Sequence, residues 1–319
     1  MPAKVHLINP LWNAAGGSEW RTLSLFERLN ERADVSLWSE QEPDPVLLGR
    51  YPIQRISPSR FPRGGNLVFV GVYYKIGGWV ASSGFRRLIV VYNTETPELL
   101  QPCLEGFRRV VGAEPEIVFA SRGLLARTPG VAGVVHSSPI DIERFSPAPK
   151  PARPFTIGRL SRDELDKHHP EDPEVYRALV AAGCRVRIMG GTVLASHLEG
   201  VQGVELLPPG AEAAEAFLRS LDLFFYRPHP NYYETWGRVV AEAMACGLPV
   251  VCGSSGGFVE FVEHRKSGLV VETTQEAIEA IAGLARDPGL ATTLGRAGRQ
   301  TVERMMGTEL EQQLEFYLQ

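Results

Sequence analysis

Residues 234–251 read ETWGRVVAEAMACGLPVV. After Gly237 the stretch has the pattern of a buried helix, and a Gly-x-Pro turn then leads straight into the apolar run PVV. Another apolar run, LFFYR (223–227), precedes it. Strand, helix and strand in this order are the repeating unit of a doubly wound α/β domain. Two carboxylates interrupt the apolar character. Glu234 follows the first strand, and Glu242 sits among Ala, Val and Met. On a continuous helix their spacing corresponds to a rotation of roughly 80° and a rise of ~12 Å. Carboxylates accept from paired hydroxyls and repel phosphate, whereas a helix N-terminus favours an anion. The two acids therefore suit the ends of an elongated ligand with hydroxyls at both ends and a negative middle. Spacing alone is equally compatible with a helix-start acid and a partly exposed helix residue.

The same alternation runs along the chain. The first half contains VHLIN (5–9), VSLWS (35–39), LVFVGVY (67–73), LIVVY (88–92), EIVFAS (116–121) and GVVHS (133–137). The second half contains FTIGRL (155–160), RVRIMG (185–190), VELLP (204–208), LFFYR (223–227), PVVCG (249–253) and GLVVE (268–272). These runs are apolar throughout rather than alternating, which predicts parallel strands covered by helices on both faces. The fold class expected is α/β, with two facing Rossmann-like doubly wound domains. Ligands in such sheets bind beyond the carboxyl ends of the strands. The proline-rich SPAPKPARP (146–154) marks the boundary. The expected division is a first domain over 1–147, a second over 155–300, and closing helical structure over 301–319.

Composition excludes several classes. With 44% hydrophobic and 22% charged residues the chain is that of a globular protein, and no run approaches the roughly 20 apolar residues of a membrane span. The start MPAKVHLINP has no basic-then-apolar signal pattern, so a cytoplasmic location is expected. Cys103, Cys184, Cys246 and Cys252 lack paired spacing, and the histidines show no H-E-x-x-H pattern, so no metal is expected. A net charge of −4 argues against nucleic-acid binding. Residues 1–150 nevertheless carry 17 Lys and Arg against 14 Asp and Glu, while the remainder carries 16 against 23. That surplus suits an anionic acceptor or peripheral contact with the inner membrane face, alongside the plainer reading of an uneven solvated surface.

The stretch 234–251 resembles the E-x7-E signature of the retaining family 4 glycosyltransferases, with Trp236 standing where the family has Phe. GSSGGFVEFVEHRKSGLVVE (253–272), IGRLSRDELDK (157–167) and HSSPIDIERFSP (136–147) are similar to further segments of that family, and AAGGSEW (14–20) occupies the place of its Gly-Gly loop. The resemblance is dense in the second half and rests on topology and one loop in the first.

It implies the GT-B fold and transfer of a hexosyl group, with retention and without a metal or other cofactor. The donor would be a UDP-, GDP- or dTDP-sugar. The acceptor would be a hydroxyl of a glycan, a lipid-linked acceptor or a small molecule, in cell-surface polysaccharide or glycoconjugate synthesis. It also implies that the closing helix crosses back to the first domain. Glu234 would hold the sugar, and Glu242 the ribose. Arg159 ends a strand, so its guanidinium is expected to face the cleft. With Lys167 and the helix start at Trp236, Gly237, Arg238 and Val239 it would stabilise the departing diphosphate. Gly16 and Gly17, with Gly190 and Gly191, follow strands and would let backbone approach the donor. Tyr73, Lys75, Asn93, Thr94 and Glu95 also follow strands and are the acceptor-side candidates. The competing readings are a sugar-nucleotide epimerase on the same fold and a non-catalytic sugar-nucleotide-binding subunit.

Overall fold

A computed structural model describes residues 3–149 and 153–319. The centre of the proline-rich stretch 146–154 and the first two residues lie outside the described residues. Two compact units are present, Met1–Pro139 with Gly307–Gln319, and Ile140–Met306.

The first unit holds seven parallel strands, β1 (Lys4–Ile8), β2 (Asp34–Ser39), β3 (Ile53–Arg55), β4 (Asn66–Val70), β5 (Arg87–Tyr92), β6 (Glu116–Phe119) and β7 (Val134–Val135). Their order is β3-β2-β1-β4-β5-β6-β7. All five residues of β4 are buried, so both faces of the sheet are covered there. The six apolar runs of the first half each overlap one of these strands, and β1, β2, β4 and β5 begin one residue ahead of their runs. β3 is the addition. Its Ile-Gln-Arg sequence has no apolar run, because an edge strand needs only one pairing partner, here β2 through Leu37 opposite Ile53.

The second unit holds β8 (Thr156–Leu160), β9 (Arg185–Met189), β10 (Val204–Leu207), β11 (Leu223–Tyr226), β12 (Val250–Gly253) and β13 (Leu269–Val271). The order β10-β9-β8-β11-β12-β13 is again fully parallel. Ile157, Ile188, Phe225 and Val251 form a core with Val175, Tyr176 and Leu179 of the helix Asp172–Ala181 and with Ala277, Ile281 and Leu284 of the helix Thr274–Arg286. In this sheet the strand order reverses between β8 and β11, which opens a crevice at their carboxyl ends.

The division falls after Pro139, ahead of the proline-rich stretch. Side chains of the second unit explain why. Arg299 Nη1 donates to the carbonyls of Ile142 (2.8 Å), Phe145 (2.7 Å) and Ala245 (2.7 Å), and Arg219 Nε donates to that of Ser146 (3.0 Å). The helix Pro288–Arg304 runs into a wide turn whose backbone breaks at Gly307 (φ −94°, ψ −118°). Beyond it the helix Leu310–Leu318 buries Leu310, Leu314 and Tyr317 within the first unit, where Asn66 Nδ2 donates to Tyr317 O at 2.9 Å.

Candidate active site

Glu234 lies in the loop between β11 and the helix Arg238–Ala245, at the crevice beside β8. Its Oε2 accepts from Tyr226 Oη at 2.7 Å and from Lys167 Nζ at 2.9 Å. Lys167 Nζ also donates to Tyr232 Oη at 2.6 Å and lies 3.9 Å from the centre of that ring. The Lys167 and Glu234 side chains are only 8% and 16% exposed, so the pair is shielded from bulk screening. Burial pushes the Glu234 carboxyl up, but the Lys167 charge and the hydrogen bonds from Lys167 and Tyr226 outweigh it and leave the pKa below its ordinary value. Burial likewise pulls Lys167 down, and Glu234 with Tyr232 carries it above its ordinary value. The two directions agree on an ionised pair. Among the described residues no donor reaches Glu234 Oε1, so one oxygen is loaded and the other is not.

The helix that follows starts at Gly237, whose φ of 85° is in the left-handed region. A Cβ there would meet Phe258 Cβ at 2.9 Å, so both conformation and space call for glycine. Among the described residues no side chain caps this helix start, leaving its first amides oriented for an anion. Gly257 N–H donates to Glu234 O at 2.7 Å and ties the loop down. Trp236 is buried and tilted against Phe261, with ring centres 5.5 Å apart, so its ring supports the helix start from beneath. One turn on, Glu242 Oε1 accepts from Arg238 Nε at 2.8 Å, beside an Arg144–Glu215 ion pair at 2.9 Å. Burial raises the Glu242 pKa, against the opposing charges of Arg238 and Arg144. Both acids of the spacing motif are thus cation-paired, Glu242 buried and Glu234 partly so.

Arg159 differs from expectation. Its side chain is fully buried, with Nη1 at 3.2 Å from both Asp172 Oδ2 and Arg227 O, Nη2 donating to Lys167 O, and the guanidinium 4.7 Å from the Tyr226 ring centre. It faces inward because Asp172, also wholly buried, needs a counter-charge there and draws Arg227 as well, at 2.9 Å. Arg159 therefore underpins the turn that carries Lys167. Gly190 and Gly191 are buried beside it. A Cβ on Gly190 (φ 78°) would lie 1.9 Å from Ser161 O, so the close approach that this glycine permits is to the chain itself. His168 Nε2 donates to Gly190 O at 2.9 Å, and burial together with Arg159 lowers its pKa to about 3.

In the first unit Gly16 precedes the helix Gly17–Asn30, and the Glu19 carboxylate occupies the space beside it, 2.0 Å from where a Cβ would stand. Tyr73 Oη donates to Thr94 Oγ1 at 2.9 Å, and Glu95 pairs with Arg127 at 2.6 Å. Asn93 follows β5 and is half-buried. Tyr73 and Lys75 line a pocket of about 700 Å³ with Tyr74, Cys103 and Arg109, between the loop after β4 and the helix Pro97–Val111.

The structure thus gathers Glu234, Lys167 and the helix start at Gly237, Arg238 and Val239 into one crevice, and turns Arg159, Trp236, Gly190 and Gly191 inward. Tyr226, Tyr232 and Asp172 complete the arrangement without having been singled out in the sequence. A tyrosine at a strand end reads as packing, and only the Tyr-Tyr-Glu run at 232–234 hinted at more. Among the described residues no three His, Cys, Asp or Glu side chains gather as a metal ligand set, and no helix is long and apolar enough to cross a membrane.

Residues 192–301 match the family described as glycosyl transferases group 1. The chain is 36% identical over 110 residues to a D-inositol 3-phosphate glycosyltransferase of Salinispora arenicola, covering 34% of this chain and 24% of that protein. It is 29% identical over 260 residues to a GDP-mannose-dependent alpha-(1-6)-phosphatidylinositol monomannoside mannosyltransferase of Mycolicibacterium smegmatis, covering 70% and 67% respectively. The first alignment thus spans about a quarter of that relative's length and the second about two thirds. Among solved structures, that of Anabaena HepE in complex with UDP and glucose superposes with a TM-score of 0.80 at 16% identity, over 98% of this chain and 99% of that one. At that identity the likeness shows the fold. The group 1 match thus covers β10 to the helix Pro288–Arg304 in the second unit, and the two parallel α/β sheets have the GT-B fold of the glycosyltransferase structures they resemble.

Proposed function

We propose that the chain is a retaining glycosyltransferase that moves a hexosyl group from a nucleoside-diphosphate sugar to an acceptor hydroxyl, using its own side chains and no metal. The observation that carries the reading is the crevice at β8 and β11, where a largely shielded carboxylate with one unloaded oxygen stands beside a buried ammonium and an uncapped helix start. Glu234 Oε1 would accept from a sugar hydroxyl and place the anomeric carbon. Lys167 and the amides of Arg238 and Val239 would stabilise charge as the diphosphate leaves, in a site whose burial strengthens each interaction. Glu242 would exchange its Arg238 contact for the ribose hydroxyls. The acceptor hydroxyl would attack on the face from which the nucleotide departs.

The relatives' names support a donor of the GDP-mannose or UDP-sugar class and an inositol-bearing or glycan acceptor, lipid-linked or free, as used in cell-surface glycoconjugate synthesis. Tyr73, Lys75, Asn93, Thr94 and Glu95 are the proposed acceptor side, and the cytoplasm or its membrane face the proposed location.

The test is transfer from UDP- and GDP-sugars to inositol-phosphate and phosphatidylinositol acceptors, with and without chelator. Glu234→Gln should lower kcat by at least about a hundredfold, since a charge-supported contact to the reacting sugar is lost. Near wild-type turnover would remove Glu234 from the site. An inverted anomer, read by NMR of the product, would overturn retention. An epimerised sugar nucleotide formed without acceptor would favour an epimerase.

A further inference from the structure

β9 reads Arg-Val-Arg-Ile-Met, although an inner strand of a parallel sheet covered on both faces is ordinarily apolar throughout. Val186 and Ile188 join the core cluster. Arg185 and Arg187 alternate with them and so stand on the other face. On that face the Arg187 guanidinium lies 5.2 Å from the Phe217 ring centre of the helix Ala214–Arg219. At the amino ends of three adjacent strands a pocket of about 840 Å³ opens, lined by Thr156, Arg185 and Val204, the first residues of β8, β9 and β10. Arg153, Arg187 and Arg219 line it too, with Glu205 as its one carboxylate. The Glu234 crevice is at the carboxyl ends of the same sheet, farther off than the length of β8, whose five residues span roughly 15 Å.

The four arginines are not equally occupied. Arg187 is spent, bonded to Glu205, Glu212 and Ser220. Arg153 reaches Asp222 at 3.3 Å, a carboxylate that also accepts from Thr156 N–H at 2.8 Å. Arg219 is held only by neutral oxygens, those of the Ser146 carbonyl (3.0 Å), the Arg144 carbonyl (2.6 Å) and the Ser146 hydroxyl (3.1 Å). Among the described residues no carboxylate pairs with Arg219, and the exposed Arg185 side chain has no partner at all. Two guanidiniums without a counter-charge thus share one concavity of small-ligand size. Their forked donors match phosphate oxygens, and Val204 and Ala216 offer apolar wall to the rest of a ligand. We propose that this pocket is a second ligand site, taking the phosphate group of a phosphorylated small molecule between Arg185 and Arg219, with Arg153 at its edge. The proposal does not rest on the glycosyltransferase reading, because none of these side chains belongs to the Glu234 crevice.

Calorimetric titration of the full chain with inorganic phosphate and with glycerol 3-phosphate tests the assignment. Arg185→Gln should weaken binding about tenfold, as expected for one charge-assisted contact, with the thermal unfolding midpoint unchanged because this side chain holds nothing in place. Arg185→Lys, which keeps the charge, should recover part of the affinity. Lys167→Met, altered only in the crevice, should bind both probes as the wild-type chain does. Tighter binding of glycerol 3-phosphate supports a phosphate ester as the ligand, and equal binding supports free phosphate in the same site. Wild-type affinity in Arg185→Gln overturns the proposal, as does a loss of binding in Lys167→Met, which would put the phosphate in the crevice. Absence of binding by the wild-type chain at roughly millimolar probe overturns it as well.

Discussion

Glu234 has two unequal oxygens. Oε2 takes both the Tyr226 hydroxyl and the Lys167 ammonium, so the carboxylate is held in one rotation and Oε1 is presented alone. Tyr226→Phe tests whether that hold matters. The ring stays stacked on Phe224 and edge-on to Phe258, so folding should be unaffected. Steady-state kinetics should show kcat lower by on the order of tenfold with donor KM little changed, as one hydrogen bond to a charged group is lost. A raised KM with intact kcat would assign Tyr226 to binding instead. The same pair fixes a pH window. Glu234 is held below its ordinary 4.5, so the stability it contributes is present above 4.5 and lost as pH falls through the lower folded value. Lys167 is held above 10.5, so its contribution is present below 10.5 and lost as pH rises through the higher folded value. The pair should impose no pH dependence between these limits. In Lys167→Met burial dominates, and the acid limb of the activity profile should move up above 4.5. At this scale the sequence displayed Glu234 and Lys167 through their places after strands. It did not display Tyr226, Tyr232 or Asp172, whose significance comes from contacts that only the fold creates. Arg159 shows the reverse. Its position at a strand end was legible, but its direction depended on Asp172, 13 residues away.

The helix Arg238–Ala245 joins the two acids, and both its ends are built on left-handed glycines. Gly237 at the start has φ 85°, and Gly247 just past the end has φ 72°. Left-handed strain costs a residue with a Cβ about 1–2 kcal/mol at either position. The surroundings differ. A Cβ at 237 meets Phe258 at 2.9 Å beside Glu234, whereas one at 247 meets Pro147 Cγ at 3.1 Å, at the opposite end of the helix. Gly237→Ala and Gly247→Ala should therefore both lower the unfolding midpoint, and only Gly237→Ala should also weaken nucleoside-diphosphate binding. Equal loss of binding in the two variants would mean that the helix start has no special part in holding the phosphates. The helix itself was plain in the sequence from its apolar run and its Gly-x-Pro exit. That Arg238 already pairs with Glu242 was not, although their i,i+4 spacing made the pair available.

The two sheets share one strand order over six strands, the first adding β7 at its edge, and the doubly wound class, though not the order, followed from apolar runs separated by helical spacers. Both sheets are parallel, and all thirteen residues of β4, β11 and β12 are buried, as in strands covered on both faces. The passage between units was harder to see, because the contacts that hold residues 140–146 to the second unit come from Arg219 and Arg299, far along the chain. The chain's last segment makes the first unit discontinuous. Leu314 is fully buried there, Ser137 N–H donates to Gln313 Oε1 at 2.9 Å, and Asn66, at the start of the central β4, is bonded to Tyr317 O. Leu314→Ala should cost about 2–5 kcal/mol, the usual range for a buried leucine. Hydrogen exchange read by mass spectrometry should show the loss of protection in residues 3–139, with 153–304 keeping theirs and nucleotide binding intact. Uniform loss across both ranges would mean that the two units unfold as one cooperative body. Loss confined to 310–318 would mean that the final helix only frays, and that the first unit's sheet stands without it.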